Sequence, residues 1–348
     1  MDFDLLKKLC ETPAVPGREE QLRKMVIAAL GPVCDGIEID VMGNVTASRS
    51  GKGKPKVMLA AHMDEIGFLV RHIDDRGFLK LQALGGFDPR QLFAQRVLVH
   101  AGDGSVLRGV LSYTTKPTHM QSEEDRKEQP KTEKFFVDLG CDVEDIRDKV
   151  RIGDMVTMDR TLERCHNGFI GKALDNRIGL FVMIETMRNL ENHDADIFAV
   201  ATVQEEVGLR GAMTAAYAVA PDIGIAIDTT LANDYPGQQD VDSITRLGGG
   251  AGIKIMDSSV ICHPLLVDHF REIAERDNIP HQMEILARGG TDAGALQRSR
   301  AGAASITLSI PTRYVHTVNE MISRKDVESA VQLLSAYLEE SHKRDYRY

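Results

Sequence analysis

Four stretches of the chain are mostly apolar and have the length of a strand: 57–61, 197–203, 223–227 and 306–310. Their apolar positions are continuous rather than alternating, which is typical of strands buried on both faces of a sheet. Helical patterns lie between and after them, at 176–190, 211–219, 265–277 and 324–337. This alternation predicts an α/β fold with a three-layer α/β/α domain.

The stretch 68–163 has a different pattern, with short β-like segments and one short helical segment at 143–149. Hairpin-type turns are indicated at 74–77, which reads Asp-Asp-Arg-Gly, and at 103–104, which reads Asp-Gly. We therefore predict that residues 68–163 form a β-rich, barrel-like domain. It would be inserted into an α/β domain formed by 1–67 and 164–348, and 348 residues suffice for about two domains.

The charge pattern argues against a nucleic-acid or membrane partner. The formal net charge is −10, and the 42 basic residues are scattered rather than gathered into a stripe that could neutralise phosphates. Asp2 and Asp4 stand where a signal peptide needs a basic start, and no apolar run approaches the roughly 20 residues that span a bilayer. We expect a cytoplasmic protein that binds neither nucleic acid nor membrane.

Residues that can bind a metal follow each of the four apolar runs: His62 and Asp64, Glu205 and Glu206, Asp228, and His316. If the strands are parallel, their ends meet at one edge of the sheet, where open α/β sheets place ligand sites. Several carboxylates at one edge would repel one another without a cation among them. Mixed nitrogen and oxygen ligands suit zinc, cobalt or manganese, and the sequence does not discriminate among these three metals.

Roles for individual residues follow from the chemistry of such a site. A ligating histidine usually donates its second ring N–H to a carboxylate, which Asp64 would provide for His62. Adjacent carboxylates indicate separate tasks, so we assign Glu206 to metal and Glu205 to general base, which takes a proton from a metal-bound water and passes it to the leaving amine. Asp175 precedes a helical pattern and is either its N-cap or a carboxylate that bridges two metal ions.

Six short motifs occur in order along the chain: AHMDEIG at 61–67, KALDNR at 172–177, VQEEVG at 203–208, AIDTT at 226–230, GGTDAG at 289–294 and RYVHT at 313–317. Together they resemble the M42 family of metallo-aminopeptidases over essentially the whole chain. The resemblance implies two divalent metal ions per subunit. By it, His62 and Asp228 would hold one ion, Glu206 and His316 the other, and Asp175 would bridge them.

The resemblance also implies a substrate and an assembly. In such families the free α-amine of a short peptide approaches the metals, and a bridging water attacks the first peptide carbonyl. The β-rich insert mediates dimers that build a dodecamer, so we expect a homo-oligomer that acts on short peptides with a free N-terminus. Arg288, Gly290 and Thr291 stand where substrate contacts are expected, and Arg288 is a candidate to read an acidic side chain or a carboxylate.

Two other functions remain open from the sequence. An N-acyl amino acid deacylase or another amidohydrolase could use the same scaffold, and only the pocket and the assembly would discriminate it. An inactive binding or assembly protein could also keep the fold, but its usual mark, the loss of Glu205 or of a metal ligand, is absent from this sequence. A glycosidase is disfavoured because it needs two carboxylates across a sugar rather than histidines gathered with them.

Overall fold

The computed structural model describes residues 1–116 and 118–347, without the side chains of Thr118, Asp125, Arg126 and Asp240. The chain forms two compact units. The first contains Met1–Asp64, Thr161–Val315 and the residues from Asn319 onward. The second contains Glu65–Arg160 together with His316–Val318, so it is inserted in the sequence of the first.

The helices of the described residues are, in chain order, α1 (Phe3–Glu11), α2 (Glu20–Leu30), α3 (Glu123–Lys127), α4 (Val143–Lys149), α5 (Leu174–Asn189), α6 (Arg210–Val219), α7 (Pro264–Arg276), α8 (Ala293–Gln297) and α9 (Arg324–Glu340). None of these helices, within 1–116 and 118–347, combines the length and apolar character needed to cross a membrane.

The strands are, in the same order, β1 (Gly36–Ile39), β2 (Val45–Arg49), β3 (Lys56–His62), β4 (Gly67–Ile73), β5 (Leu79–Leu84), β6 (Arg96–His100), β7 (Val106–Tyr113), β8 (Phe135–Asp138), β9 (Met155–Met158), β10 (Glu163–Cys165), β11 (Gly168–Gly171), β12 (Asp196–Thr202), β13 (Ile223–Leu231), β14 (Ala251–Met256), β15 (His281–Ile285), β16 (Ala304–Arg313) and β17 (Glu320–Ser323).

The first unit is built on a mixed sheet of strand order β1-β2-β12-β3-β13-β16-β17-β11-β10, and β14 pairs with both β16 and β15. Strands β12, β3, β13 and β16 form a parallel series of neighbours. These four strands are the four apolar runs of the sequence, so the predicted α/β fold is confirmed. Because they are parallel, their carboxyl ends lie at the same edge of the sheet.

The two faces of β3 explain why its apolar run is continuous. Val57, Leu59 and Ala61 belong to a large core that also contains residues of α1, α2, α5 and α9. Met58 and Ala60 point the other way, because side chains alternate along a strand, and they lie in a second core with residues of α6 and α8. Helices therefore cover both faces of the sheet, which is the predicted three-layer arrangement.

The second unit is a closed barrel of strand order β4-β5-β8-β7-β6-β9. Its strand pairs are antiparallel. Its interior is filled by apolar side chains, among them Phe68, Val97, Leu111, Phe135 and Val156. The predicted barrel-like domain is confirmed, and it has a core of its own.

Candidate metal centre

The carboxyl ends of β12 and β3, and the part of β13 beside them, bring several predicted ligands to one edge of the sheet. His62 is the last residue of β3 and pairs with Thr202 at the end of β12. Asp228 lies in β13, two residues beyond Ala226, which pairs with Ala60 of β3. Asp228 is therefore level with His62, and the turn that carries the two predicted glutamates follows β12 at the same edge.

Four of the other predicted residues converge around His62. Its Nε2 atom lies 3.3 Å from Oδ1 of Asp175, 3.9 Å from Oε2 of Glu205 and 3.9 Å from Oδ1 of Asp228. Two overlapping sets have ligand atoms that all lie within 4.8 Å of one another: His62, Glu205 and Asp228, and His62, Asp175 and Glu206. Atoms at these separations can reach a common cation.

The electrostatics of these buried groups favour a cation. Burial raises the pKa of Glu205 well above its usual value, and the carboxylates of Asp228, Asp292 and Glu206 raise it further. Burial likewise raises the pKa of Asp228. Burial by itself lowers the pKa of His62, but the surrounding carboxylates, Glu205 foremost, raise it well above its usual value. A positive charge among these groups would relieve the repulsion, so the donor set fits divalent ions.

Asp64 connects His62 to the turn that carries the two glutamates. Nδ1 of His62 lies 2.9 Å from the backbone carbonyl of Asp64 and 3.6 Å from its carboxylate. The carbonyl is the closer partner and can only accept, so Nδ1 carries a proton, and Nε2, which faces the carboxylates, is the nitrogen available to a metal ion. The Asp64 carboxylate accepts the backbone N–H groups of Glu205 and Glu206, each at 3.0 Å.

Asn176 provides the side-chain cap of the helical part of α5. Its Oδ1 accepts the backbone N–H of Gly179 at 3.1 Å, and its Nδ2 donates to the carbonyl of Ile227 at 2.8 Å. Asp175 has non-helical backbone angles, φ −78° and ψ 105°, and its carboxylate faces His62. Of the two roles that the sequence left open, this arrangement favours that of a ligand for Asp175.

The remaining predicted site residues have other surroundings. His316 belongs to the second unit, and its part in a metal site stays a prediction. Arg288 and Gly290 are exposed, and their contact with a substrate also stays a prediction. Thr291 is buried, and its hydroxyl hydrogen-bonds with that of Thr307 at 2.8 Å. The Thr291 hydroxyl is therefore already engaged within the protein.

Asp292 is a buried carboxylate that the sequence analysis did not single out. Its Oδ2 accepts the hydroxyl of Thr202 at 2.5 Å, at the end of β12. Burial raises the pKa of Asp292 to about 6, and its charge acts on both Glu205 and Asp228. Its place in the GGTDAG motif was the available signal, but nothing in that spacing distinguishes a buried aspartate from a loop residue.

A comparison with known proteins decides the family. A model of the family described as M42 glutamyl aminopeptidase matches residues 43–333 of this chain. The chain belongs to the M42 family. It is therefore a peptidase, an enzyme that hydrolyses peptide bonds, and the resemblance inferred from the six motifs is confirmed.

Individual M42 relatives match both units. The lysyl aminopeptidase of Pyrococcus furiosus is 37% identical over 354 residues, covering 99% of this chain and 99% of that protein. An aminopeptidase of the archaeon Desulfurococcus kamchatkensis is 39% identical with a TM-score of 0.93, covering 98% and 97%. The Pyrococcus horikoshii TET1 peptidase, which can assemble into a tetrahedron or a large octahedral shell, is 30% identical with a TM-score of 0.85, covering 97% and 98%.

Proposed function

We propose that this M42 peptidase is an aminopeptidase that uses two divalent metal ions to hydrolyse the N-terminal peptide bond of short peptides. The observation that carries the proposal is the buried cluster around His62, in which two overlapping sets of ligand atoms meet. Amide hydrolysis needs positive charge at the carbonyl and a group that moves protons. The cluster offers residues for both tasks.

We assign His62 and Asp228 to one ion, Glu206 and His316 to the other, and Asp175 to both. In support, Asp175 shares a ligand set with Glu206 and also lies 3.3 Å from His62. Bound divalent ions supply positive charge that polarises the scissile carbonyl and acidifies a bound water. The nitrogen and oxygen donors suit zinc, cobalt or manganese.

We assign Glu205 as the general base. Its Oε2 atom lies 3.9 Å from Nε2 of His62, within reach of a water held at this cluster, and a carboxylate in such a place can accept a proton and pass it on. It would take a proton from the attacking water and deliver it to the leaving amine. Glu205 also shares a ligand set with His62 and Asp228, so it could instead be a metal ligand. A Glu205 variant that keeps its metal indicates a base, and one that loses metal indicates a ligand.

We further propose that the enzyme acts as a homo-oligomer, a dodecamer built from dimers that pair through the barrel. The support is the likeness to the Pyrococcus horikoshii TET1 peptidase, which can assemble into a tetrahedron or a large octahedral shell. Enclosed sites would restrict the substrates to short, unfolded peptides. A cytoplasmic location stays a prediction from the sequence.

The test is hydrolysis of a panel of aminoacyl anilides and short peptides, each with a free or an N-acetylated terminus. The enzyme is first stripped with a chelator and then reloaded separately with zinc, cobalt and manganese. We expect metal-dependent release of N-terminal residues that acetylation abolishes, and the panel then identifies the preferred residue. Activity confined to acetylated substrates would instead indicate a deacylase, and no hydrolysis with any metal would overturn the proposal.

A further inference from the structure

The turn at 203–206, which carries the proposed base, is held by side chains from three distant parts of the chain. All four of its backbone N–H groups donate to side-chain oxygens. The pairs are Val203 with Asn44 at 3.0 Å, Gln204 with Glu19 at 3.2 Å, and Glu205 and Glu206 with Asp64 at 3.0 Å each. We call these three acceptor side chains, Asn44, Glu19 and Asp64, the turn clamp.

The backbone of the turn explains why such a clamp is needed. Gln204 has a φ of 55°, in the left-handed region that residues other than glycine rarely adopt. A strained residue keeps such a conformation only where its surroundings determine it. The conformation of Gln204 sets the direction in which the chain leaves β12, and therefore the direction in which Glu205 points. A hydrogen bond to the N–H of Gln204 acts directly on that residue.

Glu19 supplies this hydrogen bond from the residue that precedes α2. Only 1% of Glu19 is exposed, and its Oε1 also accepts the backbone N–H of Gly17 at 2.8 Å. The same oxygen thus ties the turn before α2 to the turn after β12. Asn44 also has contacts outside the turn, because its Nδ2 donates to Asp40 and to the carbonyl of Gly211. Replacing it would therefore disturb more than the turn.

We propose that Glu19 is a positioning residue of the active site, whose Oε1 fixes Gln204 and thereby aims Glu205 at the water it deprotonates. This inference rests on the proposed function, in which Glu205 is the base. What matters is the place of one oxygen acceptor rather than the charge of the carboxylate. An amide oxygen in the same place would serve equally, and a carboxylate one methylene shorter would not.

Two conservative variants distinguish the effect of the position of the acceptor oxygen from the effect of the carboxylate charge. Glu19→Gln keeps an oxygen acceptor at the same distance from the backbone and removes the charge. Glu19→Asp keeps the charge and withdraws the oxygen by one methylene group. Glu20→Ala is the matched control, since Glu20 is the exposed neighbour of Glu19. For each metal-reloaded protein, kcat, KM, bound metal and the hydrogen exchange of the backbone amides at 203–206 are measured.

We expect Glu19→Asp to lower kcat about 10- to 100-fold, as small misplacements of catalytic groups do, with KM and bound metal unchanged. Its amides at 203–206 should exchange faster, whereas Glu19→Gln and Glu20→Ala should stay close to the wild type in kcat and in exchange. Three results would overturn the inference. They are a wild-type kcat in Glu19→Asp, an equal loss of kcat in Glu19→Asp and Glu19→Gln, and a loss of bound metal from Glu19→Asp. If the wild type hydrolyses no free peptide, the proposed function fails, while the exchange of the amides still tests the clamp.

Discussion

Oδ1 of Asp175 lies 3.3 Å from Nε2 of His62, the ring nitrogen that turns away from Asp64. A carboxylate oxygen and an imidazole lone pair at this separation are placed as two ligands of one ion. The cap of α5 is made by Asn176, so the Asp175 carboxylate is not needed there.

Asp175→Asn should lower bound metal from two ions per chain and reduce kcat by more than about 100-fold. Replacing residues that only support metal ligands typically costs about 10- to 100-fold, so the loss of a bridging ligand should cost more. The measurement is metal content after dialysis against zinc or cobalt, together with peptide hydrolysis. The exposed Asp145→Asn serves as control, and full metal content in Asp175→Asn would contradict its role as a ligand.

Glu205→Gln should bind metal normally and lose turnover by about 10²- to 10⁴-fold, the range that general acid–base catalysis contributes. Glu206→Gln is the matched comparison, since the two residues are adjacent but are assigned different tasks. We expect Glu206→Gln to lose bound metal. If Glu205→Gln loses metal and Glu206→Gln retains it, Glu205 is the ligand and Glu206 the base, contrary to our assignment.

Gly179→Ala should destabilise the fold, although alanine is the better helix former by about 1 kcal/mol. A Cβ at position 179 would overlap Oδ1 of Asn176 and the backbone carbonyl of Ile227. Forcing atoms into such a packed place typically costs about 1–3 kcal/mol. Denaturant unfolding of the wild type and the variant measures the change in the free energy of unfolding. A variant as stable as the wild type would contradict the prediction, because the backbone would then accommodate the Cβ without loss of stability.

Asp326 should make the free energy of unfolding depend on pH. Its carboxylate accepts the backbone N–H groups of Gly248 and Gly250, each at 2.7 Å, and burial raises its pKa to about 6. The folded state therefore holds this proton more tightly than the unfolded chain, whose aspartates have a pKa of about 4. Between these values the folded state binds more protons, so raising the pH through this range removes stability.

Asp326→Asn removes that titration and isolates its effect. The wild type should be most stable relative to Asp326→Asn near pH 4, lose this advantage up to about pH 6, and change little above about pH 7. Denaturant unfolding of both proteins across this range gives the difference directly. A difference that grows with pH would contradict the raised pKa.

The central sheet and the candidate ligands at its edge could be predicted because they depend on local sequence. The run 57–61 is apolar on both faces, which indicates a buried parallel strand, and His62 follows at its carboxyl end. The same reasoning places Asp228 beside it, and the register of β13 with β3 bears this out. Strand burial and direction are sufficient for these two residues.

Other parts of the site depend on contacts that no local pattern carries. A helical pattern after Asp175 does not tell whether it or Asn176 caps the helix, since both residue types are good caps. Glu19 reaches Gln204 across 185 positions of sequence, and nothing near Glu19 distinguishes it from an exposed helix-start glutamate such as Glu20. The barrel order β4-β5-β8-β7-β6-β9 is also non-local, so hairpin turns alone do not give it.

The most direct test of the account is a titration of chelated enzyme with zinc, cobalt or manganese, with bound metal counted and peptide hydrolysis measured in the same samples. We expect activity on a free N-terminus to rise until two ions per chain are bound, and the N-acetylated peptide to remain intact throughout. Full activity in the metal-free protein, or a maximum at one ion per chain with no further gain, would contradict a catalytic site with two metal ions.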